Sequence, residues 1–144
     1  MTDPRLEAYV DYFESLSPAT LNHIGRVMTD DVYFADPFND VTGIDATRDI
    51  FAHMFRDLDG ARFTVTHAAV SSRDNSAGLL RWRLDATVKK SGNPLTIEGM
   101  SEIRFAADGR VRAHVDHWDA GRQIYEQVPL LGAILRRIRA RLSA

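Results

Sequence analysis

The feature that most constrains the fold is a change in hydrophobic period near residue 61. Before this point apolar residues recur three and four positions apart, the spacing of amphipathic helices. From residue 61 they alternate, and turn-forming sequences divide the alternating part at 73–78, 90–94 and 107–109. The sequence therefore predicts helices first and then four antiparallel strands, an α+β fold.

The helical part contains three predicted segments and one strand. Ser17 is the expected N-cap of the second helix, Gly43 opens the third helix and Gly60 ends it. The strand "VYFAD" ends on an acid directly before a proline. The predicted helices cover residues 4–16, 17–28 and 44–58, and the strand covers residues 32–36.

The strand at 95–105 has one apolar and one charged face. Alternation places one set of residues toward a core and Thr96, Glu98, Glu102 and Arg104 toward water or a partner. We expect the helices to pack on one concave face of a curved sheet, and such a sheet with its helices can enclose a pocket. The core set is Ile97, Gly99, Ser101, Ile103 and Phe105.

Charge and composition exclude several classes of protein. Residues 1–120 carry 13 basic and 19 acidic side chains, so the body of the chain is acidic and nucleic acid is not an expected partner. There is no cysteine, no apolar leader and no apolar stretch long enough to span a bilayer. These features are those of a cytoplasmic protein with no thiolate chemistry.

Three short motifs, taken with the order of elements, resemble a known superfamily. They are "FADPF" after the helical pair, Gly-x-x-Ala-x-x-x-x-Phe opening the third helix, and "HVDHWD" on the last strand. The chain resembles the nuclear transport factor 2-like superfamily, specifically its SnoaL-like and ketosteroid-isomerase-like branch. The resemblance covers the chain apart from about the last two dozen residues, and it implies the cone fold.

The resemblance to ketosteroid isomerases implies roles for particular residues. In those enzymes an Asp-Pro at the end of the first strand supplies the general base, and a Tyr 24 residues earlier polarises the substrate oxygen. Asp36 and Tyr12 match this pair, and the flanking Leu16 and Leu21 favour Tyr12 over Tyr9. Ser101 stands where the isomerases place a protonated Asp, which is a departure from their pattern.

"HVDHWD" is similar to a segment of limonene-type epoxide hydrolases in which an Asp helps to activate water. Asp116 matches that residue, whereas "GMSE" replaces the Arg-x-Asp of the preceding strand. Alternation puts Asp116 on one face with His114 and Trp118. If Asp116 and Asp36 share an apolar pocket, one carboxylate is left able to act as an acid or base near neutral pH.

Each of these assignments has a structural alternative. Asp36 alone would be equally consistent with a turn before Pro37, and Asp116 with an ion pair to an arginine such as Arg83. The aromatic residues fit ordinary core better than a cofactor site, and core at the mouth of such a cone also forms the wall of a ligand pocket. The candidate substrate-binding residues are Phe38, Phe55, Trp82, Ser101, His114 and Trp118.

The sequence predicts neither a metal site nor a cofactor. His114 and His117 fall on opposite faces of the last strand and have no third ligand nearby. There is also no Gly-x-Gly-x-x-Gly, no Walker sequence and no Ser-His-Asp arrangement in a recognisable context.

The tail forms a basic amphipathic helix. We divide the chain into a cone domain, residues 1–127, and a tail helix, residues 128–144, packed on that domain. Its apolar face is expected to dock over the cone or a sister subunit, and contact with an anionic membrane surface is the alternative. A homodimer through the outer sheet face, near Leu80, is also predicted.

Two functions fit this sequence. The first is a cofactor-independent isomerase, cyclase or lyase, or an epoxide-hydrolase-like enzyme, acting on a small hydrophobic molecule, with Asp36 moving a proton and Tyr12 polarising a carbonyl. The second is a binding module of the same fold without turnover. Convergence of Tyr12, Asp36 and Asp116 on one point of a cavity would favour the enzyme.

Overall fold

The computed structural model describes residues 2–143, apart from the side chain of Glu126. Met1 and Ala144, the ends of the two predicted segments, lie outside the described residues. The helices are α1 (Pro4–Glu14), α2 (Ile44–Asp57), α3 (Ala120–Gln123) and α4 (Leu131–Leu142), with 3₁₀ turns at Leu21–Arg26 and Tyr125–Gln127. The strands are β1 (Met28–Ala35), β2 (Asp40–Thr42), β3 (Leu58–Val70), β4 (Ala77–Val88), β5 (Pro94–Phe105) and β6 (Val111–His117).

The six strands form one open, mixed sheet in the order β2-β1-β6-β5-β4-β3. The last four strands of the chain are paired antiparallel in sequence, as the alternating pattern predicts. β1 pairs with β6 in parallel, so the first and last strands along the chain are neighbours in the sheet. This pairing brings the predicted motifs around Asp36 and Asp116 to adjacent strands.

The core lies between the sheet and the helices α1 and α2, which confirms the predicted α+β class. α1 packs against β3, and α2 packs against β1 and β3. Along β5, Ile97, Gly99, Ser101, Ile103 and Phe105 are all buried, as their alternation predicts. The same pattern on β4 turns its buried residues toward the helices and its arginines away from them.

Several predicted boundaries were wrong. The second helix is only a 3₁₀ turn because Gly25 weakens it and β1 already begins at Met28. Ser17 does not cap it but closes a turn with Thr20. Gly60 does not end α2, since the chain is already extended at Leu58. Its positive φ of 61° instead fits a bulge in the pairing of β3 with β4.

The surface predictions have different outcomes. Of Leu80 and its neighbours, Leu80 is 3% exposed and belongs to the core, whereas Leu79 lies on the outer sheet face with Met100. The apolar face of α4 does not cover the cone, because Ile134 and Ile138 are half exposed. The homodimer and docking onto a sister subunit remain predictions.

Candidate functional site

A cavity of about 490 Å³ opens beside α2 and reaches the centre of the sheet. Its polar rim includes Asp49, His53 and Asp57, which are exposed on α2. Deeper in the cavity the lining is apolar and largely aromatic. The walls include Phe34, Phe51, Phe63, Trp82, Leu84, Ile97 and Trp118.

A small recess of about 30 Å³ continues from the inner end of this cavity. The two spaces share Phe51, Phe63, Trp82 and Asp116, so the recess is an extension of the same pocket. Its other walls come from apolar residues and from two polar side chains, Ser101 and His114. A space of this size holds about one water molecule.

The polar floor of the pocket is built around the carboxylate of Asp116. Ser101 lies directly opposite Asp116 in the β5–β6 register, and its hydroxyl donates to Oδ1 at 2.5 Å. His114, two positions earlier on the same face of β6, contacts the same oxygen through Nε2 at 2.6 Å. No hydrogen bond among the described residues reaches Oδ2. Asp116 therefore lines the cavity with one oxygen held and the other without a hydrogen bond from the described residues.

Tyr9 from α1 completes the floor from below. Its hydroxyl lies 2.6 Å from Nδ1 of His114, and both side chains are buried. Burial is the main cause that raises the pKa of Tyr9 well above its ordinary value, followed by the charge of Asp116. The phenol therefore stays protonated. Because a carboxylate only accepts, Nε2 of His114 carries the hydrogen of its contact with Asp116, and Nδ1 of the neutral imidazole then accepts from the Tyr9 hydroxyl. Phe34 stacks on the imidazole at 5.0 Å and fixes its plane.

Trp82 joins this network from β4. Its indole Nε1 donates to Oγ of Ser101 at 2.8 Å, so the Ser101 hydroxyl hydrogen is directed to Asp116. The ring can lie over β5 only because residue 99 is glycine. A Cβ at Gly99 would stand 2.6 Å from Cζ2 of Trp82. A side chain at residue 99 would therefore displace both Trp82, which is a wall of the pocket, and its hydrogen bond to Ser101 at the floor.

A comparison with known protein families identifies the family of this chain. A family model of the SnoaL-like domain matches residues 9–114. The chain belongs to the SnoaL-like family, within the nuclear transport factor 2-like superfamily. The matched range contains Tyr9, Trp82, Ser101 and His114, all four residues of the network around the Asp116 carboxylate. A search of curated proteins finds no match.

Solved structures place this SnoaL-like protein in the expected fold. It is similar to a ketosteroid isomerase-like protein from Catenulispora acidiphila in complex with trimethylamine (TM-score 0.72, 13% identity, 88% of this chain and 93% of that chain). It is also similar to a proposed SnoaL-like polyketide cyclase from Jannaschia sp. CCS1 (0.71, 16%, 83% and 90%). An LEH-like epoxide hydrolase from M. tuberculosis aligns over 97% of this chain and 91% of its own (0.65, 14%).

Asp36 of the SnoaL-like protein lines the main cavity, but its carboxylate is engaged in a local turn. Oδ1 accepts from the backbone N–H groups of Phe38 and Asn39 at 2.8 and 2.7 Å, and the Asn39 side-chain amide contacts both oxygens. The turn that was considered as an alternative is therefore present, and Asp36 also faces the pocket. Its predicted role as a base is not tested by this geometry.

Tyr12 does not converge with the two aspartates. Its hydroxyl donates to the backbone carbonyl of Thr20 at 3.0 Å, and Tyr12 lines neither the cavity nor the recess. Partial burial raises the pKa of Tyr12 to about 12. The choice of Tyr12 over Tyr9 therefore put the wrong face of α1 toward the pocket.

The other candidate residues divide clearly. Phe38, Trp82, Ser101, His114 and Trp118 line the cavity or its recess, with Phe38 at the mouth. Phe55 packs against the core and lines neither space. The possible Asp116–Arg83 ion pair is not formed, because Arg83 faces outward and pairs with Asp85 at 2.7 Å.

Sequence reasoning missed Tyr9 as a site residue, although it lies in the predicted apolar stripe of α1. Nothing in the local sequence distinguishes its partner, because Tyr9 and His114 are 105 positions apart.

Among the described side chains, no group of three or more His, Cys, Asp or Glu residues is placed to hold a metal ion. None of the helices between residues 2 and 143 combines the length and apolar composition that a membrane-spanning segment needs.

Proposed function

We propose that this protein is a cofactor-independent enzyme that transfers a proton next to the carbonyl of a small apolar substrate, with Asp116 as the general base. The observation that carries the proposal is the carboxylate of Asp116, which lines an otherwise apolar pocket and is held through Oδ1, while Oδ2 accepts no hydrogen bond from the described residues. A positioned base of this kind is the minimum that such chemistry requires.

The shape and lining of the pocket support a small hydrophobic substrate. A volume of about 490 Å³ lies within the range of ligand pockets, and most of the inner wall is aromatic or aliphatic. Such walls exclude water from the reacting atoms and strengthen the electrostatic effect of the few polar groups present. The substrate class that fits is an apolar ketone or diketone.

The reaction balances without any cofactor. Asp116 takes a proton from the carbon next to the carbonyl, and the electrons of the broken C–H bond form an enolate. The enolate is then protonated at another position, which gives an isomer, or attacks a second carbonyl carbon of the same molecule, which gives a ring. The proton held by Asp116 returns to the product, so the carboxylate is regenerated.

Ser101 and His114 act as positioning residues in this scheme. Their two hydrogen bonds fix the rotation of the Asp116 carboxylate and leave the other oxygen for the substrate. Tyr9 in turn fixes the tautomer of His114 from the opposite side of the ring. The base therefore meets the substrate in one orientation, with little reorganisation required during the reaction.

A second candidate function is hydration or epoxide opening. The recess beside Asp116 has room for about one water molecule, and a water held there would lie against the same carboxylate. Asp116 would take a proton from that water while its oxygen attacks the substrate carbon. The proton taken up would then pass to the oxygen of the opened ring.

Exchange with deuterated water tests the first proposal. The protein is incubated in D₂O with a panel of small apolar ketones and 1,3-diketones, and loss of the α-proton signals is followed by NMR. We expect enzyme-dependent exchange that Asp116→Asn removes and Asp36→Asn retains. Quenching of tryptophan fluorescence by these compounds without any exchange would contradict catalysis and favour the binding module.

The same variants separate the second candidate from the first. With small apolar epoxides in ¹⁸O-labelled water, an epoxide-opening enzyme yields a diol that carries one labelled oxygen. Label incorporation that depends on Asp116, together with no α-proton exchange, would replace proton transfer by hydration as the function of the site.

A further inference from the structure

The exposed apolar surface of this protein is concentrated in one segment. Among residues 2–143, ten large apolar side chains are exposed, and seven of them lie between Tyr125 and Leu142. The other three are Phe38 at the cavity mouth and Leu79 and Met100 on the outer sheet face. Because a contiguous exposed apolar patch marks a contact surface, the segment needs a binding partner.

The exposed side of α4 is its apolar stripe. Gly132 is buried and Leu135 is partly buried, so this side of the helix faces the body of the protein. The stripe spaced three and four residues apart points away from the body. Its members are Leu131, Ile134, Ile138 and Leu142, which are 42%, 55%, 50% and 83% exposed.

Arginines border this stripe on one side. Arg137 and Arg141 line the same shallow groove as Ile134 and Ile138. Arg136 and Arg139 lie toward the body of the protein, in a groove with Pro94, Leu95 and Thr96 of β5. α4 contains no acidic residue, whereas residues 1–120 have an excess of acids. The basic charge of the chain is therefore placed beside its exposed apolar surface.

We propose that α4 lies in the surface of a membrane that contains anionic lipids. An apolar stripe bordered by arginines is the composition of helices that rest in the plane of a bilayer interface. The arginine side chains can reach the phosphates while their aliphatic parts stay beside the acyl chains. α4 has 12 residues, about 18 Å in length, so it would lie on the bilayer rather than cross it.

A second copy of the chain fits this surface less well. A two-fold contact through the stripe would place α4 against α4 of the partner copy. Arg137 and Arg141 from each helix would then lie along one interface with no acid on either helix, and like charges at an interface oppose association. An anionic lipid surface instead matches both the apolar stripe and the arginines beside it.

The location of α4 beside the cavity mouth adds a consequence. Leu95 lines both the main cavity and the groove beside Arg136. Phe38 at the mouth contacts Tyr125, which precedes α4, with ring centroids 6.0 Å apart. A membrane bound at α4 would therefore lie near the opening of the pocket, where a hydrophobic molecule dissolved in the bilayer could enter.

Vesicle co-sedimentation tests this proposal with the full chain. Phosphatidylcholine vesicles are compared with vesicles that also contain phosphatidylglycerol, at low and at high salt. We expect binding to the anionic vesicles only, weakened by salt. The double variant Arg137→Gln/Arg141→Gln should bind roughly thirtyfold more weakly. The double variant Ile134→Glu/Ile138→Glu should not bind.

Leu79→Gln/Met100→Gln is the matched control, since both side chains are 44% exposed but lie on the outer sheet face. This variant should bind as the unmodified chain does, and melting curves should show that all variants are folded. Absence of binding to anionic vesicles, or equal binding by all variants, would overturn the proposal. So would sedimentation of a dimer that Ile134→Glu/Ile138→Glu converts to a monomer, because the stripe would then cover a second copy.

Discussion

The floor and the mouth of the cavity each contain an aspartate, and the two differ in how they are held. Asp116 at the floor accepts two hydrogen bonds on one oxygen, from Ser101 and His114, and its other oxygen accepts none from the described residues. At the mouth, both oxygens of Asp36 accept hydrogen bonds from the next turn of its own chain. An oriented carboxylate with a free oxygen can take a proton, whereas a carboxylate whose two oxygens both accept hydrogen bonds mainly stabilises the turn that donates them.

The two aspartates also differ in where their partners come from. Asp36 bonds to groups two and three positions away, so its environment is visible in the sequence "DPFN". Asp116 depends on β5 and, through His114, on α1 at the far end of the chain. The comparison teaches that a carboxylate held by partners distant in the sequence can keep one oxygen without a hydrogen bond, and that such a carboxylate is the better candidate for a base.

The largest expected effect separates the two aspartates by turnover. Asp116→Asn keeps the shape of the side chain and removes the base, so kcat should fall by roughly a hundredfold or more. Asp36→Asn should change kcat by less than about threefold, because the amide oxygen can still accept the turn hydrogen bonds. Steady-state kinetics on a substrate found by the exchange experiment measures both. A larger loss of kcat in Asp36→Asn than in Asp116→Asn would show that Asp36, at the mouth, is the base.

Tyr9→Phe should have the next largest effect, on stability. It leaves Nδ1 of His114 buried without a donor, which costs about 1–3 kcal/mol in the free energy of unfolding near pH 8. Burial raises the pKa of Tyr9 in the folded state, so the unfolded chain loses this proton first as pH rises. The contribution is present below about pH 10 and is lost as pH rises further.

Urea unfolding between pH 8 and pH 11 checks this sign. Stability of the unmodified protein should fall with pH above about 10, and in Tyr9→Phe that decline should be smaller by up to about 1.4 kcal/mol per pH unit. An unchanged decline would mean that Tyr9 ionises as readily in the folded protein as in the unfolded chain.

Removing the side-chain acceptor of the turn at the mouth should lower the free energy of unfolding less than Tyr9→Phe does at the floor. Asp36→Ala loses the hydrogen bonds to the β1–β2 turn, and the free energy of unfolding should fall by about 1 kcal/mol. Asp36→Asn, which keeps an acceptor, is the control and should unfold close to the unmodified protein. Equal losses in the two variants would show that the charge, rather than the turn, stabilises the mouth.

The smallest expected effect belongs to Tyr12→Phe. The hydroxyl of Tyr12 donates to the carbonyl of Thr20 outside the pocket, so its removal should lower the free energy of unfolding by about 0.5–1 kcal/mol. Turnover should remain within about twofold of the unmodified enzyme, since no contact reaches the cavity. A strong loss of kcat with unchanged stability would restore the role that the resemblance implies.

Periodicity predicted most of the fold because the sheet and helices follow local patterns. The alternation along β5 correctly identified its buried face, and the stripe of α1 identified its core side. The boundaries that failed, such as the helix expected at 17–28 and the cap at Gly60, depend on strand pairing. β1 starts early because β6 pairs with it, and that pairing cannot be read from either segment alone.

The candidate site was predicted only in part for the same reason. Alternation put His114, Asp116 and Trp118 on one face of the last strand, and all three line the cavity or its recess. A separation in sequence that matches that of the isomerases, as between Tyr12 and Asp36, does not fix which face of a helix turns inward. Tyr9 and Tyr12 are three positions apart, which is about 60° around α1, and the Tyr9 hydroxyl contacts His114 whereas the Tyr12 hydroxyl contacts the carbonyl of Thr20.

The bond between Tyr9 and His114 links the first helix to the last strand of the sheet. During synthesis, Tyr9 leaves the ribosome about 105 residues before its partner, and β6 completes the sheet only after it has paired with both β1 and β5. Folding must therefore close almost the longest loop available in the domain before the pocket has a floor. A nascent or truncated chain that lacks β6 would have walls but no oriented carboxylate, so chemistry at this site would report that the domain is complete.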